Sequence, residues 1–208
     1  MKFVDPNGKD YDVYYDGKSF TISATYFTDE NSAESANNAT AFWNNLNGQY
    51  TMDGLPIRFD FKAIVISSEE IPAGVKTESI IKGKANVTVS GNTYMLSDLP
   101  DANINGVTNS GRVVTVDKNR ATPLTGAHEI GHTVGLQHSN NGLMTAASSN
   151  PKRSGKVSKR EIKNVIKNAV KGKSAKDADG TPAGKGHFHN KTDNPNVEFK
   201  FKMEENTK

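Results

Sequence analysis

The run from His128 to His138, HEIGHTVGLQH, constrains the fold of this chain more than any other feature. Residues four apart lie on the same side of a helix, so His128 and His132 can direct two imidazoles at one point. Gly135 suits the left-handed position at which a helix often ends, because glycine has no Cβ to clash there. The chain can then turn back and bring His138 to the same point. The spacing predicts a helix followed by a sharp turn that gathers three imidazoles.

The flanking residues indicate where this helix begins. Thr122 offers a capping hydroxyl, and Pro123 suits the first helical position because the amide proton that it lacks would have no partner there. We predict a helix from about 122 to 135. This places His128 and His132 near the middle, where the backbone is most rigid.

Three histidines at one point predict a zinc site. Zn²⁺ binds neutral imidazole nitrogens, and catalytic zinc sites use three protein ligands and keep a further position for water. We therefore predict His128, His132 and His138 as metal ligands. Glu129 projects beside the metal and can act as the general base that takes a proton from water. A polar helical face would explain HExxH alone, but the extended spacing with Gly135 is far more specific.

The sequence HEIGHTVGLQHS followed by GLMT resembles the metzincin clan of zinc peptidases, which pairs HExxHxxGxxH with a downstream Met-turn. Met144 lies six residues after His138, the short spacing of matrixin-like members. The resemblance implies that Met144 forms a hydrophobic floor beneath the imidazoles without touching the metal. No tyrosine follows Met144, whereas some metzincins place one near the zinc. Oxyanion stabilisation would then fall mainly to the metal.

The resemblance extends in outline to the flanking elements. Metzincins close with a helix after the Met-turn, and the capping box Ser158–Glu161 begins such a helix here. Its apolar stripe consists of Ile162, Val165, Ile166, Ala169 and Val170. Upstream, residues 111–117 (GRVVTVD) are β-branched and short, as a strand is. The family counterpart is the edge strand that pairs with an extended substrate, so the resemblance implies that a peptide binds there by adding a strand.

The remaining patterns predict an α/β (α+β) fold with a twisted mixed sheet, an active-site helix and a C-terminal helix. Residues 19–28 alternate as a strand, and residues 31–47 follow as a helix with Trp43 in the core. Residues 58–67 alternate and then become wholly apolar, which predicts an inner strand. Further expectations are short strands at 85–89 and 94–96, loop over the rest of 68–92, and turns at 98–111.

Composition limits the function classes. The chain has 208 residues, no cysteine and no apolar run long enough to span a membrane. No disulfide can form, and no thiolate can bind the zinc. Residues 152–208 carry 15 Lys and Arg against 7 Asp and Glu, whereas residues 1–151 carry 11 against 16. The basic part favours a solvated surface over a nucleic-acid site, because no aromatic residues are interleaved with the charges.

The domain prediction has three parts: an N-terminal junction at 1–18, a catalytic domain at 19–171, and a basic tail at 172–208. Residues 172–186 are typical of a linker, and Val197–Lys202 (VEFKFK) alternates like an edge strand. His187 and His189 lie between these segments. We expect them to be exposed, with a second metal site or a fourth zinc ligand as the alternative.

The opening FVDPNGKD resembles the junction that precedes the C-terminal toxin domain of Rhs-type polymorphic toxins, over Phe3 to Gly8. An ordinary turn explains the same residues. The N-terminus also lacks an apolar signal region. Together these features predict a zinc endopeptidase that is delivered by a secretion system, cleaves protein substrates and is blocked by a cognate immunity protein. The alternatives are a secreted peptidase without its signal and a binding module with a structural, four-ligand zinc.

Overall fold

The computed structural model describes residues 11–66, 69, 91–146, 152–172, 174–176 and 182–206. Three α-helices lie within these residues: α1 (Ala33–Asn44), α2 (Pro123–Thr133) and α3 (Lys159–Val170). The strands are β1 (Tyr11–Tyr15), β2 (Phe20–Thr28), β3 (Tyr50–Met52), β4 (Leu55–Val65), β5 (Asn92–Ser97), β6 (Gly106–Asn109), β7 (Val113–Asp117), β8 (Ser174–Lys176), β9 (Pro182–Asn190) and β10 (Met203–Glu205). No helix of the described residues is long and apolar enough to cross a membrane.

The strands form one mixed sheet in which β2 is central. Along the main path the order is β10-β3-β4-β2-β1-β9-β8. The first part of β2 pairs antiparallel with β1, and its last part pairs in parallel with β5 at Tyr26 and Phe27. Strand β5 continues the sheet to β7, and β7 continues it to β6. The fold is therefore a mixed α/β fold, as the sequence predicts.

One face of the sheet carries the core. Alternate residues of β2 and β4 are buried, including Ile22, Tyr26 and Phe59, and Trp43 of α1 lies fully buried among them. Strand β2 and helix α1 thus follow the prediction closely. The wholly apolar end of β4 does not, because Ile64 and Val65 are 40% and 38% exposed. On one side of β4, strand β3 pairs only with the first two residues, Leu55 and Pro56. The apolar C-terminal end of β4 therefore extends beyond β3.

The strand that was predicted to lie at the edge of the sheet, β7, lies inside it. Strand β7 begins at Val113 and is flanked on both sides, by β5 in parallel and by β6 antiparallel. Residues 98–111, predicted as turns, contain β6, which pairs only with β7 among the described strands. The sequence interpretation was wrong here because GVTN is too short to show alternation. The edge next to α2 is β6.

Both ends of the described chain enter the sheet. Strand β1 lies within the predicted junction 1–18, and β9 begins within the predicted linker and pairs in parallel with β1. Gly186 makes this possible, since a Cβ there would collide with the ring of Tyr11. His187 and His189 lie on β9 and are half-buried, so the expectation of two exposed loop histidines was wrong. His189 Nε2 lies 2.6 Å from Asp12 Oδ1.

The alternating segment Val197–Lys202 is not a strand. The carboxylate of Asp53 accepts hydrogen bonds from the amides of Lys200, Phe201 and Lys202, which bends the backbone, and Phe201 has a φ of 55°. The edge strand follows as β10, paired with β3. The predicted strand at 85–89 and the opening FVDPNGKD lie outside the described residues.

Candidate metal site

Helix α2 carries the site and is fixed at both ends. The Thr122 hydroxyl accepts a hydrogen bond from the Thr125 amide, and Pro123 occupies the first helical position. The helix ends at Thr133, and Gly135 has a φ of 83°, the left-handed value at which glycine is favoured. The middle of the helix is held by Trp43, whose indole N–H donates to the Ala127 carbonyl. The predicted helix and its glycine stop are confirmed.

Met144 packs directly on the backbone of this helix. Met144 is fully buried, and a Cβ built on Gly131 would lie 2.5 Å from its sulfur. Gly131 stands immediately before His132, so the methionine supports the turn that carries both helical histidines. This close approach explains why a glycine occupies a helix interior, where it costs about 1 kcal/mol relative to alanine.

The loop after α2 returns His138 to the helix. The Leu136 amide donates to the Gly131 carbonyl, and the Ser139 amide donates to the Met144 carbonyl at 2.8 Å. These two bonds close the chain on either side of His138. The turn and the methionine therefore act together to place the third histidine.

The three imidazoles converge, as the spacing predicts. One ring nitrogen from each of His128, His132 and His138 lies within 4.8 Å of the other two. The Nε2 atoms of His128 and His132 are 3.2 Å apart. Two nitrogens on a tetrahedral zinc are about 3.3 Å apart, given bonds of about 2.05 Å. The helical pair thus already has the separation that a zinc ion requires.

Backbone carbonyls orient two of the rings. Nδ1 of His128 lies 2.8 Å from the Leu143 carbonyl oxygen, and Nδ1 of His132 lies 2.8 Å from that of Leu136. A ring that donates from Nδ1 presents a lone pair at Nε2, which is the form that binds a metal. Burial, with the neighbouring His132 and Arg153, lowers the pKa of His128 to about 2. His128 is therefore neutral at physiological pH, as a ligand must be.

Glu129 lies beside the three histidines but outside the ligand group. Its side chain is buried beneath β6, where Gly106 passes so close that a Cβ would lie 2.8 Å from Glu129 Oε1. Thr108 donates from its hydroxyl to Oε2 at 2.8 Å or to the Glu129 carbonyl at 2.9 Å. Burial raises the pKa of Glu129 to about 7, and the bond from Thr108 opposes this. A carboxyl group with this pKa can take up and release a proton near neutral pH.

An open cleft of about 380 Å³ gives access to these groups. Its lining comes from two chain segments besides the histidines and Glu129, namely residues 103–109 and the pair Ala146 and Arg153. Arg120 holds the chain just before the first segment, because it donates to the carbonyls of Asp101 and Ala102 and to the Asp117 carboxylate. The Arg120 hydrogen bond holds the pKa of Asp117 well below its usual range.

The number of ligands bears on the type of metal site that the residues could form. Structural zinc sites have four protein ligands, whereas the group found in the described residues consists of three histidines. His187 and His189 do not belong to it. The predicted alternative of a fourth ligand from this pair thus has no support within the described chain.

Three residues of the site carry no signal in the sequence. Gly106 and Thr108 lie in a stretch rich in Asn and Gly, and only the pairing of β6 with β7 places them over Glu129. Arg153 is one of many basic residues in the C-terminal part, and only the three-dimensional structure shows that it lines the cleft.

Comparison with known proteins adds no assignment. No protein-family model matches the chain, and no curated protein sequence matches it.

Proposed function

We propose that this protein is a zinc-dependent endopeptidase of the metzincin type. The observation that carries the proposal is the convergence of three imidazole nitrogens next to the buried carboxyl group of Glu129, at the base of an open cleft. The spacing HExxHxxGxxH and the contact of Met144 with Gly131 support the assignment to metzincins. Water, a peptide carbonyl and a metal can meet only where such a cleft reaches the ligands.

His128, His132 and His138 would hold the ion. A divalent zinc ion bound there would act as a Lewis acid on the scissile carbonyl and make water a nucleophile at neutral pH. Glu129 accepts the proton of the attacking water and passes it to the leaving nitrogen. Its position outside the ligand group suits this role, because a carboxylate that binds a metal is a weaker base.

The edge strand β6 supports a peptide substrate. Residues Gly106–Asn109 line the cleft, and β6 pairs on one side only among the described strands. An extended peptide can therefore add to the sheet and pass Glu129 and the histidines. Binding along an edge favours cleavage within a chain, since it needs residues on both sides of the scissile bond.

The proposal is tested with two substitutions and their matched controls. Glu129→Gln should bind one zinc per chain but lose about 100-fold or more in turnover of an unfolded protein such as labelled casein. Glu34→Gln, which alters an exposed carboxylate on α1, is the control. His132→Ala should lose both zinc and turnover, whereas His189→Ala should keep both. Full zinc occupancy in His132→Ala, or normal turnover by Glu129→Gln, would contradict the proposal.

The biological role of a delivered toxin with a cognate immunity protein also stays a proposal. It rests on the resemblance of Phe3 to Gly8 to a toxin junction. Expression of the chain in the bacterial cytosol should arrest growth, and Glu129→Gln should not. Equal growth of the two strains, at equal protein levels, would refute the role without touching the peptidase proposal.

A further inference from the structure

Apart from the histidines, the described residues that line the cleft include one basic side chain. Among its lining residues, Arg153 is the only lysine or arginine and Glu129 is the only acid. The rest of the lining is uncharged apart from the histidines. Among these side chains, Arg153 is therefore the group that can give the cleft a preference for a negatively charged substrate group.

The guanidinium of Arg153 is held in place but not neutralised. Its Nε donates to the Thr145 carbonyl at 2.8 Å, and its Nη2 lies 2.8 Å from Nδ1 of His128. No carboxylate of the described residues lies within 4.0 Å of it. A half-buried guanidinium with no carboxylate partner is a strong binding group for one.

The contact with His128 cannot persist beside a metal. Nδ1 of His128 faces both the Leu143 carbonyl, an acceptor, and Arg153, a donor. When Nε2 binds a metal, the ring proton resides on Nδ1 and is donated to Leu143. Nη2 of Arg153 then has no acceptor on His128; it keeps the long contact of 3.5 Å with the Ala146 carbonyl and can donate to a ligand in the cleft.

The same contact defines where that ligand group lies. The Nε2 atoms of His128 and His132 face each other, so Nδ1 points away from the metal position. Arg153 therefore stands behind the His128 ring rather than next to the reacting carbonyl. Because Arg153 also lines the cleft, a substrate group bound in the cleft can reach it.

We propose that Arg153 selects substrates by binding a carboxylate close to the scissile bond. The carboxylate comes from an aspartate or glutamate side chain or from the C-terminus of a short peptide. This inference rests on the proposed peptidase function and names the specificity of the same site. In this proposal Arg153 is a specificity residue.

The test measures binding, so that it does not depend on turnover. Zinc-loaded Glu129→Gln protein is titrated with alanine-based peptides that carry one Asp or, in the matched peptide, one Asn at successive positions. A second pair of peptides ends in a free carboxylate or in an amide. One position, or the free terminus, should bind about ten- to a hundredfold more tightly than its neutral match, as a charged hydrogen bond predicts.

Substitutions at Arg153 then assign the preference. In the Glu129→Gln background, Arg153→Gln should bring the dissociation constants of each matched pair of peptides within about twofold of each other. Arg153→Lys should restore part of the difference, because lysine keeps the charge but lacks the paired N–H donors of the guanidinium. One zinc per chain in each variant shows that the site is intact. Equal binding of charged and neutral peptides by the protein with Arg153 overturns the inference. Absence of binding to every peptide contradicts the peptidase proposal as well, whereas tight binding without preference refutes the role of Arg153 alone.

Discussion

Thr108 offers the sharpest test of how the fold controls Glu129. The hydroxyl of Thr108 has one proton, which it can donate to Glu129 Oε2 at 2.8 Å or to the Glu129 carbonyl at 2.9 Å. Thr108→Val removes this donor and keeps the shape of the side chain. Because β6 is an edge strand, the substitution leaves the core intact.

The size of the effect follows from the charge of the acceptor. A hydrogen bond to a carboxylate is worth about 1.5–3 kcal/mol, and sharing with the backbone carbonyl favours the lower value. A loss of about 1.5 kcal/mol corresponds to about a tenfold decrease in the acid dissociation constant of Glu129. The direction of the pH effect is also fixed. The bond lowers the pKa of Glu129, so its removal raises that pKa and moves the acidic limb of the rate profile to higher pH.

The assay is kcat and KM as a function of pH for wild type, Thr108→Val and Thr108→Ser. The serine variant keeps the hydroxyl and should behave like the wild type. KM should change little, because in the proposed binding mode the substrate pairs with the backbone of β6 rather than with its side chains. If the pH profiles of wild type and Thr108→Val superimpose, the hydroxyl has no role. If Thr108→Ser and Thr108→Val change kcat and its pH dependence equally, the effect comes from packing.

Two further predictions concern stability. Gly131→Ala should destabilise the protein by about 1–3 kcal/mol in urea unfolding, because its Cβ would lie 2.5 Å from the sulfur of Met144; a gain, as alanine usually gives in a helix, would contradict the packing of Met144 on α2. In metal-free protein, Glu129→Gln should be more stable than wild type by about 3 kcal/mol above pH 7. The pKa of Glu129 is raised from 4.5 to about 7 in the folded protein, so folding favours the protonated carboxyl group. The free energy of unfolding of the wild type therefore falls as the pH rises from 4.5 to about 7. Equal pH dependence of the two proteins would show that Glu129 is not buried as described.

The elements that could be predicted from sequence are those with a local signal. Helix α2 has a cap and a glycine stop, and α3 has a capping box between Ser158 and Glu161, which the structure contains in both directions. Such bonds form between residues three apart and do not depend on the rest of the fold. Strand β2 was predictable because its long alternation matches one buried face.

The elements that were missed depend on distant partners. Strand β9 contains two glycines and has no apolar alternation, and it joins the sheet through β1 near the other end of the chain. In the opposite sense, Val197–Lys202 alternates well, yet the carboxylate of Asp53 takes its amide protons and prevents a ladder. In both cases a contact between residues more than 140 positions apart overrides the local sequence pattern.

The same division between local and distant contacts runs through the site. Helix α2 and the turn to His138 lie within one short stretch, so the convergence of the three histidines could be predicted from spacing alone. The environment of Glu129 comes from Gly106 and Thr108 on β6, and the charge of the cleft comes from Arg153. In the proposed peptidase, burial by β6 would set the pKa of the general base Glu129, and Arg153 would set which substrate is preferred. A chain with the same eleven residues but a different edge strand would therefore keep the metal chemistry and change its pH dependence and specificity.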